Sequence, residues 1–309
     1  MNQLQKPIPW KANYLPNPDG TPSIFYLETV LACNLACPEC AIGVDKITRN
    51  KKIMKLEDFK IISKKIEPYA QLVYLHKWGE PFMNKNIFEM INIVSKYAHA
   101  HLSTNGHFLD GERAEKVVKS GLGTLIISID GITQEVYDTY RVKGNVKLVM
   151  DNIKKIAQIN EKYGNPVNII PQFIVFDHNY HEKDMFIEFC EKLNLKPILK
   201  KPYIRFGAMK EPKDKSFHRK KFKTVESHLQ AISTCLHGDT TMTITADGSL
   251  LLCTQDYNKQ WNLGNILDPN MDVVKLWNNP HYQEIRNNIL NKKPPEMCTK
   301  GCMIYNPGY

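Results

Sequence analysis

From residue 24 to about 201 the chain alternates short apolar runs with longer stretches of helical periodicity. FYLETVL (25–31), LVYLH (72–76), AHLS (100–103), TLIISID (124–130), VNIIPQFIV (167–175) and KPILKK (196–201) read as six strands. Between them lie LEDFKIISKKIEPY (56–69), NIFEMINIVSKYA (86–98), DGERAEKVVKSG (110–121), two stretches running through Tyr163, and HEKDMFIEFCEKL (181–193). These repeat apolar residues at three- and four-residue spacing, as amphipathic helices do. Strands alternating with helices of this length predict parallel βα units joined by right-handed crossovers. Six units are too few to close an eight-unit barrel. The expected fold is therefore α/β, a partial (β/α)6 TIM-like barrel, with function at the C-terminal ends of its strands.

Downstream the pattern changes. Residues 202–230 read as a basic linker that carries KEPKDKSFHRKKFK (210–223). MTITADGSLLLC (242–253) predicts a β-hairpin with Asp247-Gly248 near its turn. DVVKLWNNPHYQEIRNNIL (272–290) predicts a helix. The expected organisation is an N-terminal extension (1–23), the barrel (24–201), the linker (202–230) and a small cysteine-rich domain with a β-hairpin and helix (231–309).

With 42% hydrophobic and 24% charged residues in 309, the chain can bury a core without disulfide staples. No window approaches the apolar length of a membrane span, and the first twenty residues lack the apolar core of a signal peptide. The expected location is cytoplasmic, where thiols stay reduced and patterned cysteines bind metal or do chemistry. The net charge of +9 raises a nucleic-acid reading, but the lysines are spread along the chain. No zinc-finger, helix-turn-helix or RNA-binding signature accompanies them, so nucleic acid is not the expected partner. The basic run suits an acidic ligand.

Cys33, Cys37 and Cys40 follow the first strand directly, in the spacing CxxxCxxC. Structural zinc wants four ligands and usually takes paired CxxC units. Iron–sulfur clusters are held by cysteine thiolates at short spacings. A four-iron cluster on three cysteines leaves one iron without a protein ligand, and an open coordination site is where a cofactor binds and reacts. Placed at the end of the first strand of a partial barrel, this motif resembles that of the radical S-adenosylmethionine (SAM) superfamily. The resemblance implies a [4Fe-4S] cluster at Cys33, Cys37 and Cys40 whose open iron chelates SAM. Reductive cleavage of SAM then yields a 5′-deoxyadenosyl radical that abstracts hydrogen from substrate. Glu39 stands where that family often has an aromatic residue.

The later strand ends carry the resemblance further. In HKWGEPFMN (76–84), Trp78, Gly79 and Glu80 correspond to the family's Gly-Gly-Glu motif, which contacts the SAM amino group, with tryptophan replacing the first glycine. Gly79 permits close backbone approach and Glu80 can accept from an ammonium; a plain Gly-Glu-Pro turn is the alternative. STNG supplies Ser103, Thr104 and Asn105, and SIDG supplies Ser128 and Asp130. Their hydroxyl and amide groups suit ribose or methionine. Arg141 resembles the arginine that some relatives use for the SAM carboxylate, with a surface arginine as the alternative. Gln172 and Val175 stand where relatives line the adenosine pocket, and Val175 also reads as strand core.

Four further cysteines, Cys235, Cys253, Cys298 and Cys302, with Gly248 before Cys253, resemble the auxiliary-cluster module of the SPASM and Twitch subfamilies. LGNI (263–266) and the following Leu-Trp-Asn fit it as well. The resemblance implies a second [4Fe-4S] cluster, fully ligated by the four thiolates; tetrahedral zinc on the same four remains open. Cys190 sits among apolar residues at helical spacing and is expected in the core.

A fully ligated second cluster cannot chelate SAM, which leaves it electron transfer or structural support. The leading expectation is oxidation (dehydrogenation) of a small polar substrate such as a sugar or amino-sugar, as in amino-cyclitol-oxidising relatives. A radical sugar epimerase is an alternative, with Cys190 as the spare thiol for its hydrogen donor. Radical modification of a ribosomal peptide is another, for which the short stretch before the first strand leaves little room for a leader-binding domain. A zinc-stabilised nucleic-acid-binding protein is the non-enzyme alternative. Expected partners are the small-molecule or peptide substrate and a flavodoxin or ferredoxin as electron donor. His76, Lys77, Lys200, Lys201 and Arg205 lie near strand ends, and the sequence assigns none of them as a general base.

Overall fold

Six of the apolar runs form parallel strands in chain order. A computed structural model describes residues 16–219, Cys235 and 239–301, without the side chains of 299–301. The strands are β1 (Ile24–Leu27), β2 (Leu72–Tyr74), β3 (His99–Thr104), β4 (Thr124–Ser128), β5 (Asn168–Ile174) and β6 (Ile198–Lys200). Each is hydrogen-bonded to the next in parallel register, so their C-terminal ends share one rim. Every residue of β4 is buried, as befits a central parallel strand covered on both faces.

The crossovers are α1 (Leu56–Ile66), α2 (Ile87–Val94), α3 (Gly111–Lys119), α4 (Gln134–Tyr140) with α5 (Val146–Lys162), and α6 (Lys183–Glu191). Their apolar stripes enter one core: Phe59, Ile62 and Ile66 from α1, Met90, Ile91 and Val94 from α2, Val149, Ile153 and Ile156 from α5. Cys190 on α6 is fully buried in that core beside Phe186, as its apolar neighbours predict.

The predicted hairpin forms as β7 (Thr241–Ile244) and β8 (Leu250–Leu251), paired antiparallel. β7 also lies parallel to β1, on the edge that β2 leaves free, with Leu27 opposite Ile244. The hairpin expected within a separate cysteine-rich segment is therefore part of the barrel sheet. The eight strands run β6-β5-β4-β3-β2-β1-β7-β8 and do not close into a ring.

The single helix expected over 272–290 is two, α7 (Val273–Trp277) and α8 (Pro280–Leu290). Pro280 has no N–H to continue the first helix, and Asn279 caps the second by accepting from the backbone of His281 and Tyr282. A further helix, α9 (Glu296–Gly301), follows. No helix among the described residues is long and apolar enough to cross a membrane.

The C-terminal segment is fastened to the barrel by polar bonds as well as by its core residues. Lys65 on α1 donates to the carbonyls of Ile266, Asp268 and Met271 at 2.7–2.8 Å, and the Trp277 indole donates to Gly20 at 2.9 Å. Replacing Lys65 with methionine leaves three carbonyls without their cation. It is expected to lower the stability of segment 263–277 by about 2 kcal/mol, seen as faster amide exchange there while β3 to β5 keep their protection.

Candidate active site

A cavity of about 210 Å³ opens at the shared rim, and it is lined from successive strand ends. Cys33, Cys37 and Cys40 come from the loop after β1, and His76, Lys77, Trp78, Gly79 and Glu80 from the turn after β2. Ser103, Thr104 and Asn105 come from the end of β3, Ser128 from β4, and Tyr140 and Arg141 from the end of α4. The structure thus brings together most of the residues that the sequence singled out. Asp130 and Gln172 are not on this wall. Gln172 is buried on β5 opposite Ser128, and Asp130 stands behind Arg141.

Gly79 sets the floor of the site. Its φ is +96°, and an added Cβ would lie against the backbone carbonyl of Val30 and 2.8 Å from that of Ala32, so only glycine fits. The next residue, Glu80, donates its N–H to Ala32 at 2.8 Å, tying the turn to the cysteine loop. Its carboxylate accepts from the Thr104 hydroxyl at 2.7 Å, the Asn105 N–H at 2.8 Å and the Phe82 N–H at 3.2 Å. Burial pushes this carboxyl up to about 7, against the pull of those three donors. Asn105 then donates from its side chain to Asn34 at 2.8 Å, so loops from three strands are laced around one carboxylate.

Arg141 follows α4 and is held by Asp130, whose carboxylate accepts from its Nε at 2.5 Å and from the Ile174 N–H at 2.5 Å. Burial works against the Arg141 charge, but Asp130 together with Cys37, Tyr140 and Tyr137 outweighs it and keeps the guanidinium protonated. One Nη lies 3.9 Å from the Cys37 sulfur. Burial pushes the Cys37 thiol up to about 12, with Arg141 opposing. A bound iron cluster would invert that balance, because metals bind the thiolate.

Glu39 carries a role the sequence did not reveal. Its carboxylate accepts from four backbone N–H groups beyond β6: Arg205 and Phe206 at 2.6 Å, Ala208 at 2.7 Å and Met209 at 3.0 Å. A side chain next to Cys40 thereby fixes the 205–209 segment across the rim. Arg205 in turn donates to the Gln255 side chain and lies over the rings of Tyr203 and Tyr257. The Gln255 N–H points at the Cys253 sulfur, 3.2 Å away. Tyr257 meets Trp78 edge to face, and Asn258 accepts from Thr48 at 2.9 Å. The segment after Cys253 is therefore packed on the rim of the first cavity.

Two residues left open by the sequence now have places. His76 accepts from the Ser103 N–H at 3.1 Å, and burial lowers its pKa to about 3, so it is neutral. The Lys77 ammonium lies 4.4 Å over Trp78 and 5.6 Å over Tyr26. Burial lowers it to about 7; Cys253, Glu28 and Cys40 pull it up and Arg205 pushes it down. Of the second cysteine group, Cys235 and Cys298 are buried and Cys253 half-buried, while Cys302 lies outside the described residues.

The thiols of Cys33, Cys37 and Cys40 are free. Among the described residues, no three His, Cys, Asp or Glu side chains are gathered as ligands of a single ion. That compactness is the demand of one ion; a four-iron cube holds its thiolates apart at separate corners. Three thiols on one wall, facing a carboxylate and a guanidinium, fit such a cube with an aminocarboxylate ligand.

Residues 27–185 match the family model described as Radical SAM superfamily, and residues 235–303 match SPASM, an iron–sulfur cluster-binding domain. The chain is 27% identical over 164 residues to the probable GTP 3′,8-cyclase of Methanocaldococcus jannaschii, covering 52% of each protein. It is 28% identical over 158 residues to the mycofactocin maturase MftC of Mycolicibacterium smegmatis, covering 49% of this chain and 38% of that one. The chain thus spans about half or less of the length of these curated relatives. Among solved structures, BtrN in complex with AdoMet and 2-DOIA has a TM-score of 0.57 at 18% identity, over 90% of this chain and 92% of that one. SuiB of Streptococcus suis bound to S-adenosylmethionine has a TM-score of 0.69 at 13% identity, over 92% and 74%. These two likenesses are of fold.

Two substitutions probe this lacing. Gly79→Ala forces a side chain into two carbonyls at positive φ and is expected to cost more than about 2 kcal/mol in denaturant unfolding. Glu39→Gln leaves a single acceptor oxygen where four N–H groups converge. It is expected to cost about 2–3 kcal/mol and to open the 205–209 segment to limited proteolysis.

Proposed function

Because the chain belongs to the radical SAM superfamily, we propose that it is an oxidoreductase that dehydrogenates a small polar substrate, such as a sugar or amino-sugar. The family's cofactors are SAM and a [4Fe-4S] cluster, with a further cluster in the SPASM domain, and together they supply one-electron cleavage of SAM and a carbon radical that takes a hydrogen atom. Cys33, Cys37 and Cys40 are the residues assigned to the first cluster. Cys235, Cys253, Cys298 and Cys302 are assigned to the second.

The observation that carries this reading is the pairing of two opposite, pre-oriented charges on the wall that holds the three thiols. Glu80, backed by Thr104 and Asn105, is placed to accept from the SAM ammonium. Arg141, kept charged and aimed by Asp130, is placed to meet its carboxylate. Ser103, Asn105 and Ser128 offer hydroxyl and amide groups to the sugar of the nucleoside, and Trp78 and Gly79 shape the turn beside it. Gln172 supports this wall from β5. Burial holds the Glu80 carboxyl at about 7, and a bound ammonium would favour its carboxylate form.

Dehydrogenation is favoured over epimerisation by Cys190. The one thiol outside the two cysteine groups is fully buried on α6, away from the cavity, and cannot serve as a hydrogen donor at the rim. A second reading, modification of a peptide, draws on the sequence likeness to the mycofactocin maturase. In either case a flavodoxin or ferredoxin is the proposed electron donor, and a reducing compartment such as the cytoplasm suits the free thiols of Cys33, Cys37 and Cys40.

Anaerobic incubation of the iron-loaded protein with SAM and dithionite tests the class of reaction. 5′-Deoxyadenosine is the expected product. Cys37→Ala is expected to reduce its formation at least about a hundredfold, and Arg141→Met to raise the SAM concentration required about tenfold by removing a charge-assisted pair. An iron-loaded sample that never cleaves SAM would contradict the proposal.

A further inference from the structure

The charges around the cavity are committed, with one exception. Glu80 accepts from three donors, and Arg141 is paired with Asp130. Behind the wall, Glu39 holds four N–H groups, Glu28 accepts from both terminal nitrogens of Arg49, and Arg205 donates to Gln255. His76 and Tyr140 are neutral, both because burial disfavours their charged forms.

Lys77 is the exception. Its ammonium lies on the cavity wall over two aromatic faces, with no hydrogen bond or ion pair among the described residues. Ring faces offset only part of the cost of desolvating an unpaired charge. The lowered pKa of Lys77 agrees with that deficit. An anion brought into the cavity would supply the missing partner. In the function proposed above, Glu80 and Arg141 match the ammonium and carboxylate of SAM, which leaves Lys77 for the second ligand.

We infer that Lys77 receives an anionic group of the substrate, a phosphate or a carboxylate, and so restricts the reaction to acidic small molecules. This rests on the reading of the cavity as the SAM site. Trp78 and Tyr26 form the apolar side of the anion's seat, and Tyr26 stacks on Tyr74 at 4.2 Å, which holds that side rigid. Arg205, fixed by Glu39 and Gln255, adds positive potential without being free to take the anion itself.

Labelling tests the inference without turnover. The anaerobic holoprotein with SAM is treated with a lysine-selective electrophile, and modification of Lys77 is followed by mass spectrometry. Inorganic phosphate is the probe, with chloride at equal ionic strength as control. Phosphate is expected to slow labelling of Lys77 about threefold at twice its dissociation constant, and to leave Lys60 and Lys147 on the exterior unchanged. Phosphate should also raise the melting temperature of the wild type and of Lys77→Arg, but not of Lys77→Met. Absence of protection would overturn the inference, as would full protection by SAM alone, which would assign the amine to the SAM carboxylate. Formation of 5′-deoxyadenosine by the same preparation reports the SAM reading separately, so the two can fail independently.

Discussion

The double parallel pairing of β1 is the constraint on which the rest of this structure depends. β1 bonds to β2 on one side and to β7 on the other, both parallel. Parallel strands end at one edge, so the cysteine loop after β1, the Trp-Gly-Glu turn after β2 and the turn after β7 are neighbours by geometry. A buried ion pair fixes this junction. Glu28, at the end of β1, accepts from Arg49 at 2.5 and 3.0 Å and from the Ala246 N–H at 3.2 Å. Removing one member of such a pair strands the other in low dielectric, at a cost of about 3–5 kcal/mol.

Around that junction the site is built from carboxylates used as anchors. Glu80, Asp130, Glu39 and Glu28 are each buried, and each is met by several donors or by an arginine. Burial raises the stake of every polar group, because an unsatisfied one is expensive where water is absent. Fully satisfied, such groups hold loops in one arrangement. The loops here would otherwise be the softest part of the molecule, and they are the part that must hold a cluster and its ligand in register.

Much of the barrel was legible because its signals are local. Alternating periodicity gave the strand order, Cys33, Cys37, Cys40, Gly79, Glu80 and Asn105 could be placed at strand ends, and Arg141 in the helical stretch after the fourth strand. The remainder depends on contacts between distant residues. Nothing in TMTI says that β7 will pair with a strand more than two hundred residues earlier. Asp130 read as a wall residue, but its carboxylate turns to Arg141 and the Ile174 N–H. Glu39 read only as a missing aromatic, since its four partners lie beyond β6. The break between α7 and α8 could have been read from Asn279-Pro280, a cap followed by a residue that cannot donate. Cys302, assigned to the second cluster, lies outside the described residues.

Whether three thiols leave one iron open is read most directly by Mössbauer spectroscopy of protein loaded anaerobically with isotopically enriched iron. Two four-iron clusters are expected, and SAM should change the signal of about one iron in eight, the one without a cysteine. A spectrum that SAM leaves untouched, or a protein that takes up zinc in place of iron at both cysteine groups, would contradict the account.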